Sequence, residues 1–582
     1  MASLQAEVDC ISLPPRVYWA ASSHLFAPAP VHPLNRMTLI PFDQIPSQEG
    51  GFNDLFRDYC ADHAKVARFF PSDYRQDSAY SSLLEQPGPR PEERERLVNV
   101  LQEQNRILGA STATFERIAL LRKETTFAVV TGQQVGLFGG PLYTLLKTVT
   151  AVRLAAALKA KFPSNDFVPV FWIEGEDHDF AEMNHATVLD QEGSPVRLEY
   201  LPGGVMPERN TGPVGEMVFD DQIRKPLEVL QSALPATDFT PDLIKRLGHH
   251  FATGKTFGQA FGGWMHELFR DAGIVLISPN DRALKKILSP LFVRELSEYP
   301  AVSRLVISRS AELEQDYHAQ IKPRSVNLFM FHKGGRYLIE PREHDFSLKG
   351  TRHFVPKEEM LRLAAHEPHL FSPNVVLRPV AQDMLLPTVA YVAGPSEVAY
   401  HAQLGPVYEH FGVRQPVVYP RASASFVPER TLRLLEKYQT DVADLVADLD
   451  GVTAAAVEQV SEVKLDVLFA DTAARAREMV GELRFALKEI DPTLSGPVEG
   501  LEGKLTQNLA VLKEKAVAAQ KRTHETAVRQ LERAHGFLVP GGVLQERALN
   551  PALFLNRYGP AVVERLLGEL QLGGDGHQII PV

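Results

Sequence analysis

The sequence has little cysteine and no long apolar run. Cys10 and Cys60 are the only cysteines among 582 residues, which excludes a disulfide framework or a Cys-rich zinc site, so we expect two ordinary reduced thiols. No run of about 18 apolar residues occurs, so we expect no membrane span. The N-terminal residues include Glu7 and Asp9 and lack the basic-then-apolar order of a secretory signal. We therefore expect a cytoplasmic protein.

Basic charge is also scarce, with 61 basic against 72 acidic residues and a formal net charge of −11. Nucleic-acid binding needs a basic excess, so we expect no nucleic-acid partner, whereas a local basic pocket for a small anion remains compatible. The hydrophobic fraction of 44% and the charged fraction of 23% are ordinary for a globular protein. The length predicts roughly three to four domain-sized units.

A strand–turn–helix–strand unit begins near residue 126. Thr126–Val130 is rich in β-formers, Thr131–Gly140 is a Gly-rich turn, Pro141–Leu158 reads as a helix, and Phe167–Ile173 is a second apolar strand. This order predicts an α/β fold with a Rossmann-like parallel sheet, whose ligands bind at the carboxyl edge. The further strands predicted for the sheet are Gly273–Ser278, Met384–Val392 and Pro416–Tyr419.

The Gly-rich turn is the first candidate site. Its candidate residues are Thr131, Gly132, Gln133, Gln134, Gly139 and Gly140. Glycine permits close backbone approach to a ligand, the following helix N-terminus suits a phosphate or carboxylate, and glutamine amides hydrogen-bond ligands well. Neither the P-loop nor the GxGxxG pattern is present, and a turn that needs glycine only for packing is the alternative.

The second candidate is the acidic cluster Glu174–His185, in which four acids and a histidine occupy six residues. Such crowding is costly unless cations, a metal or a polar ligand balance it. The candidates are Glu176, Asp177, His178, Asp179, Asn184 and His185. A helix here would place His178 and His185 on one face. Acids favouring a helix N-terminus and a metal site stay open as alternatives, but no familiar zinc spacing occurs, so no tightly bound structural metal is expected.

Two further polar clusters follow predicted strands. Around Gly394 we expect Ser396 to cap a helix while Glu397, Tyr400 and His401 face a pocket. Beyond the last strand, Arg421 beside Ser423 could clamp a phosphate or carboxylate. Ordinary capping and surface polarity are the alternatives for both clusters. Lys322 and Arg324 are additional basic candidates.

The C-terminal part changes character from about Val427, where glycine becomes rare and Ala, Leu, Glu, Lys and Arg dominate. Apolar or small residues at 505, 509, 512, 516, 519 and 523 have the spacing of a coiled-coil seam. Asp491-Pro492 and Ser495-Gly-Pro break the segment into two helices, which predicts an antiparallel hairpin. The hairpin could pack on its own body or dimerise, and its narrow apolar stripe favours dimerisation.

Four long motifs together resemble one family. TGQQVGLFGGPLYTLLK, FWIEGEDHDFAEMNH, YVAGPSEVAYHAQL and GGVLQERALNPALFLNRYG resemble the bacillithiol-biosynthesis cysteine-adding enzymes (BshC), over nearly the whole chain and in the same order. The resemblance implies a ligase that joins cysteine to glucosaminyl malate. It also implies a Rossmann-like core with connective-peptide insertions, similar to class I aminoacyl-tRNA synthetases, and a C-terminal coiled coil that makes a homodimer.

The resemblance also implies roles. Gly132, Gln133, Gln134, Gly139 and Gly140 would hold nucleotide phosphates. Asp177 or His178 would be the base for the attacking amine, while Glu176 and Asp179 could bind that ammonium or Mg²⁺ on ATP. Arg421 would meet malate carboxylates or phosphates. A metal-dependent amino-sugar hydrolase or deacetylase and a non-catalytic nucleotide-binding scaffold remain the other functional hypotheses.

These patterns divide the chain into segments. They are 1–125, the mainly helical N-terminal part of the core; 126–186, the first half of the Rossmann-like core; 187–250, a connective-peptide-like insertion; 251–310, the continued core; 311–375, a second insertion; 376–426, the last core strands; 427–536, the coiled-coil arm; and 537–582, a tail packing on the core.

Overall fold

The computed structural model describes residues 38–46, 52–86, 88–207, 210 and 212–582; Cys10 and the N-terminal segment lie outside them. The strands are β1 Thr38–Ile40, β2 Thr126–Gln134, β3 Asp166–Glu174, β4 His185–Leu189, β5 Pro195–Glu199, β6 Val275–Ile277, β7 Leu328–His332, β8 Gly335–Pro341, β9 Asp345–Leu348, β10 Phe354–Pro356, β11 Phe371–Pro373, β12 Thr388–Ala393, β13 Val417–Pro420, β14 Ser423–Val427 and β15 His577–Pro581.

Helices connect and cover these strands. They are α1 Asp54–Ala61, α2 His63–Val66, α3 Asp77–Leu84, α4 Pro91–Ile107, α5 Thr112–Leu120, α6 Leu142–Lys161, α7 Phe180–Met183, α8 Arg224–Ala233, α9 Thr240–His250, α10 Phe257–Leu268, α11 Arg282–Glu298, α12 Ala301–Leu313, α13 Lys357–His366, α14 Arg378–Leu385, α15 Pro395–His401, α16 Gly405–Phe411, α17 Glu429–Lys437, α18 Val442–Ala447, α19 Leu449–Val460, α20 Leu465–Ile490, α21 Ser495–Thr523, α22 Glu525–Leu538, α23 Gln545–Ala548, α24 Ala552–Tyr558 and α25 Ala561–Glu569.

The centre of the molecule is a five-stranded parallel sheet in the order β13-β12-β2-β3-β6. In chain order this is 3-2-1-4-5 with β2 as the first strand, which is the Rossmann arrangement. The order reverses between β2 and β12, so the crevice of the topological switch point opens at their carboxyl ends. The predicted α/β Rossmann-like fold is confirmed.

Both faces of the parallel sheet are buried. Along β3, Val170 and Trp172 belong to one apolar core, whereas Phe171 and Ile173 belong to a second core on the opposite face. Because side chains alternate along a strand, a strand covered on both sides must be apolar at every position. This explains why β3 reads as a continuous apolar run.

Two of the predicted elements have different bounds. The predicted strand Met384–Val392 begins too early, because α14 ends only at Leu385 and β12 starts at Thr388. The apolar spacing from Pro91 or Glu92 towards Leu121 predicts one helix, but the structure has two, because Gly109 between α4 and α5 has a φ of 78°. A left-handed glycine ends the first helix in the usual way.

The core carries two inserted units. β4 and β5 form an antiparallel hairpin followed by α8 and α9, within and just before the predicted first insertion. The second insertion is a five-stranded sheet in the order β10-β9-β8-β7-β11 with antiparallel pairing. The sequence predicts a hairpin here, with Leu328–His332 and Tyr337–Glu340 on either side of Gly334-Gly335, and β7 and β8 confirm it.

The C-terminal part combines a helical hairpin with a tail. α20 and α21 run antiparallel, and their connection at Pro492–Leu494 confirms the break predicted at Asp491-Pro492; Ser495-Gly-Pro begins α21 instead of interrupting it. At the tail, β15 inserts between β1 and β14. Within the described residues, none of the helices has the length and apolarity that crossing a membrane requires.

Candidate active site

A cavity of about 800 Å³ opens at the carboxyl edge of the parallel sheet. Its lining comes from the ends of β2, β3 and β12, from α6, α14 and α15, and from the second insertion's sheet. This is the switch point of the strand order, where open α/β sheets bind ligands. The cavity therefore lies where three of the polar clusters predicted from the sequence should meet.

The first half of the Gly-rich segment lines the cavity as strand, not as turn. β2 pairs with β3 residue for residue up to Gln134↔Glu174, so the expected start of the turn at Thr131 is wrong. Gly132 is required there because a Cβ would lie 2.9 Å from the Trp172 carbonyl oxygen. The Gln134 amide donates to Asp177 Oδ2 at 2.7 Å. Gln133 and Gln134 thus project from a fixed strand end.

The remaining candidates of this segment are outside the cavity lining. Gly139 and Gly140 have φ values of 95° and 74°, but their turn is held by the C-terminal tail, because Asn550 Nδ2 donates to the Gly140 carbonyl at 2.7 Å. The buried Thr131 hydroxyl donates to the Val392 carbonyl at 3.0 Å. These residues hold β2, β12 and the tail together, and sequence reasoning misjudged them because this tail contact is about 410 residues distant.

Asp177 and His178 line the cavity. The Asp177 carboxylate accepts the His178 backbone N–H at 2.7 Å and lies 3.7 Å from Arg336 Nη1. Burial raises the pKa of Asp177, but hydrogen bonds from His178 and Gln134 and the Arg336 charge outweigh it and hold that pKa well below its usual range. Asp177 is therefore a carboxylate at neutral pH, suited to orienting and charge stabilisation.

The other members of the acidic cluster lie elsewhere. Glu176 is buried and paired with Lys285, Asp179 is exposed, and Asn184 donates to the Tyr200 carbonyl at 3.1 Å. The helix that should have carried both histidines is wrong: α7 ends at Met183, and His185 begins β4. None of these four residues lines the cavity.

Glu174 lines the cavity although it was not among the predicted catalytic residues. Its Oε2 accepts the Trp172 indole N–H at 3.0 Å. Burial, and then the negative charge of Glu176, raise the pKa of Glu174. Among the acids of the cavity it is thus the one whose environment favours holding a proton.

The third cluster is assembled on α15. Gly394 is the N-cap residue, and Glu397 accepts its backbone N–H at 2.7 Å, so the expected capping role of Ser396 is wrong; Ser396 faces the cavity with Gly394 and Glu397. Glu397 also pairs with Lys147 at 2.6 Å. Burial lowers the pKa of Lys147. His401, expected to face the pocket, is fully buried and outside the lining.

Arg378 is the main functional candidate that sequence reasoning missed. It lines the cavity, donates to the hydroxyls of Tyr400 at 2.8 Å and Tyr391 at 3.4 Å, and in the described structure has no carboxylate within ion-pair distance. A guanidinium held only by neutral groups keeps its charge available for an anion. Its one sequence signal was its place beside Pro379 at a helix start.

Arg421 also lines the cavity, but its charge is already matched. The guanidinium binds both carboxylate oxygens of Glu546, a contact between two buried side chains. Ser423 donates to the same carboxylate at 2.9 Å and is outside the lining. Arg421 was expected to clamp a ligand anion, but its guanidinium is already paired with Glu546 of the tail.

The cavity is basic although the chain is acidic. Its lining has eight basic side chains against three acidic ones, Glu174, Asp177 and Glu397. The basic residues are Lys147, Lys322, Arg324, Arg336, Lys349, Arg378, Arg421 and Arg547. Such an excess around a concave site concentrates and binds anions. An acidic chain is therefore compatible with a local basic pocket for a small anion.

Metal-ligand clusters and reactive thiols are two further kinds of candidate site in the part of the chain that the structure describes. No group of three or more His, Cys, Asp or Glu side chains there is arranged to hold a metal ion. Cys60 is buried, and burial raises the pKa of its thiol far above the ordinary value.

Comparisons with known proteins cover nearly the whole chain. Residues 40–422 match the N-terminal Rossmann-like domain of bacillithiol biosynthesis BshC, and residues 424–582 match the C-terminal coiled-coil domain of the same family. A relative from Salinibacter ruber named "Putative cysteine ligase BshC" is 38% identical over 92% of this chain and 98% of its own length. Relatives of the same name from Chloroherpeton thalassium and Chlorobaculum tepidum are each 36% identical, over 93% and 92% of this chain and 99% and 97% of their own lengths. The chain therefore belongs to the BshC family of bacillithiol biosynthesis.

Proposed function

We propose that this protein is an ATP-dependent ligase that joins the carboxylate of L-cysteine to the amine of glucosaminyl malate. The observation that carries the proposal is the basic cavity at the switch point, above all Arg378 with no carboxylate partner. Both ATP and the malate group are polyanions, and a cavity of about 800 Å³ is within the usual range for small-molecule sites. The relatives' name, "Putative cysteine ligase BshC", supports cysteine as a substrate, and the family's description supports bacillithiol as the product.

Forming an amide from a free carboxylate requires activation. ATP would transfer an adenylyl or a phosphoryl group to a cysteine carboxylate oxygen, releasing pyrophosphate or ADP. The substrate amine then attacks the acyl carbon, the C–N bond forms, and AMP or phosphate leaves while the amine's proton passes to a base. His178 would be that base, since its Nδ1 lies 3.5 Å from Asp177 Oδ1, and the depressed pKa of Asp177 suits it to orienting the imidazole.

In this scheme the other cavity residues would bind the substrates and Mg²⁺. Arg378 would bind a phosphate or carboxylate in a bidentate way. Gln133 and Gln134 at the end of β2 would hydrogen-bond the ligand. The ionised Asp177 would offer an oxygen ligand to the Mg²⁺ that accompanies ATP. We also propose a homodimer through the α20–α21 hairpin and a cytoplasmic location, where ATP and reduced cysteine are present.

A mass-spectrometric endpoint assay tests the proposal. Purified protein is incubated with glucosaminyl malate, cysteine, Mg²⁺ and ATP, and each component is omitted in turn. Bacillithiol that forms only with ATP, together with AMP or ADP, supports the ligase, and the nucleotide product distinguishes the adenylate from the acyl phosphate.

Other outcomes separate the remaining hypotheses. Turnover without ATP that a chelator abolishes would indicate a metal-dependent amino-sugar hydrolase. Nucleotide binding without any turnover, in a protein that restores bacillithiol to deficient cells even as the Gln133→Ala, Gln134→Ala, Asp177→Ala, His178→Ala variant, would indicate a scaffold.

A further inference from the structure

The loop after β3 is tied to the second insertion through a buried ion pair. Lys285, on α11, contacts Glu176 with its Nζ, and the two side chains are 0% and 2% exposed. The same Nζ donates to the Phe371 carbonyl at 2.7 Å, at the start of β11. One ammonium thus joins the acidic loop, a core helix and the inserted sheet.

A second tie runs parallel to the first. Arg336, on β8, donates to the Pro373 carbonyl at 2.9 Å and to the Ser372 hydroxyl at 2.8 Å, and it lies 3.7 Å from Asp177. The acidic loop is therefore fixed to β11 at both Glu176 and Asp177. Its backbone is also held, because Val214 N–H donates to the Asp177 carbonyl at 2.8 Å.

A buried ion pair is a costly way to gain stability, since both charges must leave water. Two aromatic rings flank this pair, since the Lys285 Nζ lies 5.7 Å and 6.0 Å from the ring centroids of Phe292 and Phe331. Apolar residues of similar volume would stabilise such a place as well. Apolar residues could not, however, hold the Glu176 carboxylate and the Phe371 carbonyl together. Glu176 directly precedes Asp177 and His178, so the ion pair fixes the chain next to them.

We propose that Lys285 and Glu176 are positioning residues that set where Asp177 and His178 stand in the cavity relative to the inserted sheet. Neither residue touches the cavity, so both act through the loop. The kinetic part of this inference rests on the proposed ligase function, but the placement of the loop can be measured without it.

The test compares Lys285→Met, Glu176→Gln and the double variant with the intact protein. Hydrogen exchange followed by mass spectrometry reports the loop amides, among them those of Gly175, His178 and Val214. We expect each variant, including the double, to exchange at least ten-fold faster in peptides covering residues 174–185 and 213–215, while peptides of β2 and β12 stay unchanged.

Stability and kinetics then separate positioning from mere burial of charge. Each single variant leaves an unpaired buried charge and should melt early, whereas the double variant should regain most of its melting temperature. We expect the double variant nevertheless to keep a loss of about 100-fold in kcat, which is the usual cost of a misplaced catalytic group. Glu267→Gln removes the carboxylate that pairs with Arg246 and His250; it is the control and should leave exchange in residues 174–185 unchanged.

Three results would overturn the proposal. They are unchanged loop exchange in the single variants, a uniform rise in exchange over the whole molecule, and a double variant that regains both stability and normal loop exchange. If the intact protein proves inactive as a ligase, the proposed function fails, but the exchange comparison still decides whether the pair positions the loop.

Discussion

Arg378 is the residue whose substitution should affect binding most directly. It is the cavity arginine held only by neutral hydrogen-bond acceptors, so an anionic substrate would supply its ionic partner. We expect Arg378→Met to weaken binding of ATP or glucosaminyl malate about 10- to 100-fold, the usual value of a hydrogen bond to a charged group. Arg378→Lys should recover little, because lysine lacks the planar fork.

Isothermal titration of each substrate measures this effect. Arg153→Met is the matched control, since Arg153 is also half-buried but donates to the Leu567 carbonyl away from the cavity. Equal affinities for the intact protein and Arg378→Met, for both substrates, would remove Arg378 from the site.

Three buried histidines should make stability depend on pH. Burial lowers the pKa of His266 and His577 to about 4 and of His401 to about 3. Between pH 6.5 and 4 the unfolded chain therefore binds protons that the folded chain does not, so their contribution is complete above pH 6.5 and is lost as the pH falls. Each histidine contributes at most about 1.4 kcal/mol per pH unit, or at most about 4 kcal/mol per unit together.

His577 allows this dependence to be tested singly. Its ring lies 2.7 Å and 2.9 Å from the hydroxyls of Ser423 and Ser425, contacts that a glutamine amide can replace. Urea unfolding between pH 5 and 6.5 should show that His577→Gln reduces the pH slope by about 1 kcal/mol per unit, because the unfolded histidine is only half protonated at pH 6.5. His344→Gln, at a side chain 87% exposed, should not change it; an unaltered slope in His577→Gln would contradict the argument.

At this scale the sequence predicts residues whose partners are close along the chain. Asp177 and Gln134 follow paired strand ends, and both reach the cavity. Lys285, Arg421 and Arg378 depend on partners that only folding supplies. Arg421 is the clearest case, because Glu546 lies 125 residues further on, and no local pattern shows that its charge will be matched there.

At the scale of the elements, Gly132 is the position of β2 where we expect even an added methyl group to be harmful. A Cβ there would lie 2.9 Å from the Trp172 carbonyl oxygen and 3.0 Å from its Cβ, so β2 and β3 would have to separate at the cavity edge. We expect Gly132→Ala to lower the free energy of unfolding by about 1–3 kcal/mol, as overpacking does, and to weaken substrate binding as well. Urea unfolding and substrate titration measure the two effects.

Gly481→Ala is the control for this substitution. Gly481 lies in α20, and a Cβ added there would have nothing within 4 Å, so alanine should raise stability by up to about 1 kcal/mol through helix propensity. A Gly132→Ala protein as stable and active as the intact one would show that β2 can shift without cost.

The same strand shows where local reasoning about elements ends. Thr131-Gly-Gln-Gln has the composition of a turn, and propensity alone predicts one. It is strand because β3 pairs with it up to Glu174, and tertiary pairing overrides local preference. Local signals were sufficient for other elements, and those were predicted correctly: the continuous apolar run of β3, the Gly-Gly turn of the β7–β8 hairpin and the apolar spacing of the long C-terminal helices.

At the scale of the whole molecule, three distant parts of the chain meet at one edge of the sheet. The core supplies the strand ends, the second insertion supplies Arg336, and the tail supplies Arg547 to the lining and Glu546 as the partner of Arg421. A cavity assembled in this way is incomplete until residues more than 400 positions apart have folded together. We therefore expect the tail to be as necessary for substrate binding as the strand ends.

The α20–α21 hairpin leaves an apolar surface that the described chain does not cover. The Arg484–Glu502 and Lys513–Asp466 ion pairs join its two antiparallel helices, and Leu505 and Leu509 of the predicted seam are half-buried within it. Leu512, Phe485 and Ile490 remain 56%, 73% and 76% exposed. Large apolar side chains in such numbers on one element indicate an interaction surface, and a second copy of the hairpin, related by a two-fold axis, would cover them symmetrically.

Substitutions at the exposed positions should therefore test dimerisation without disturbing the hairpin, which substitutions at the half-buried positions cannot do. Replacing Leu505, Leu509 and Leu512 together with charged residues should give monomers, but it also disturbs the hairpin itself. Phe485→Glu with Leu512→Glu should give monomers in light scattering with unchanged helix content by circular dichroism, since both side chains already face solvent. Val205→Glu, at another apolar position 67% exposed, should leave the dimer intact. A Phe485→Glu, Leu512→Glu protein with the same mass in solution as the intact one would place any dimer contact elsewhere than on this hairpin.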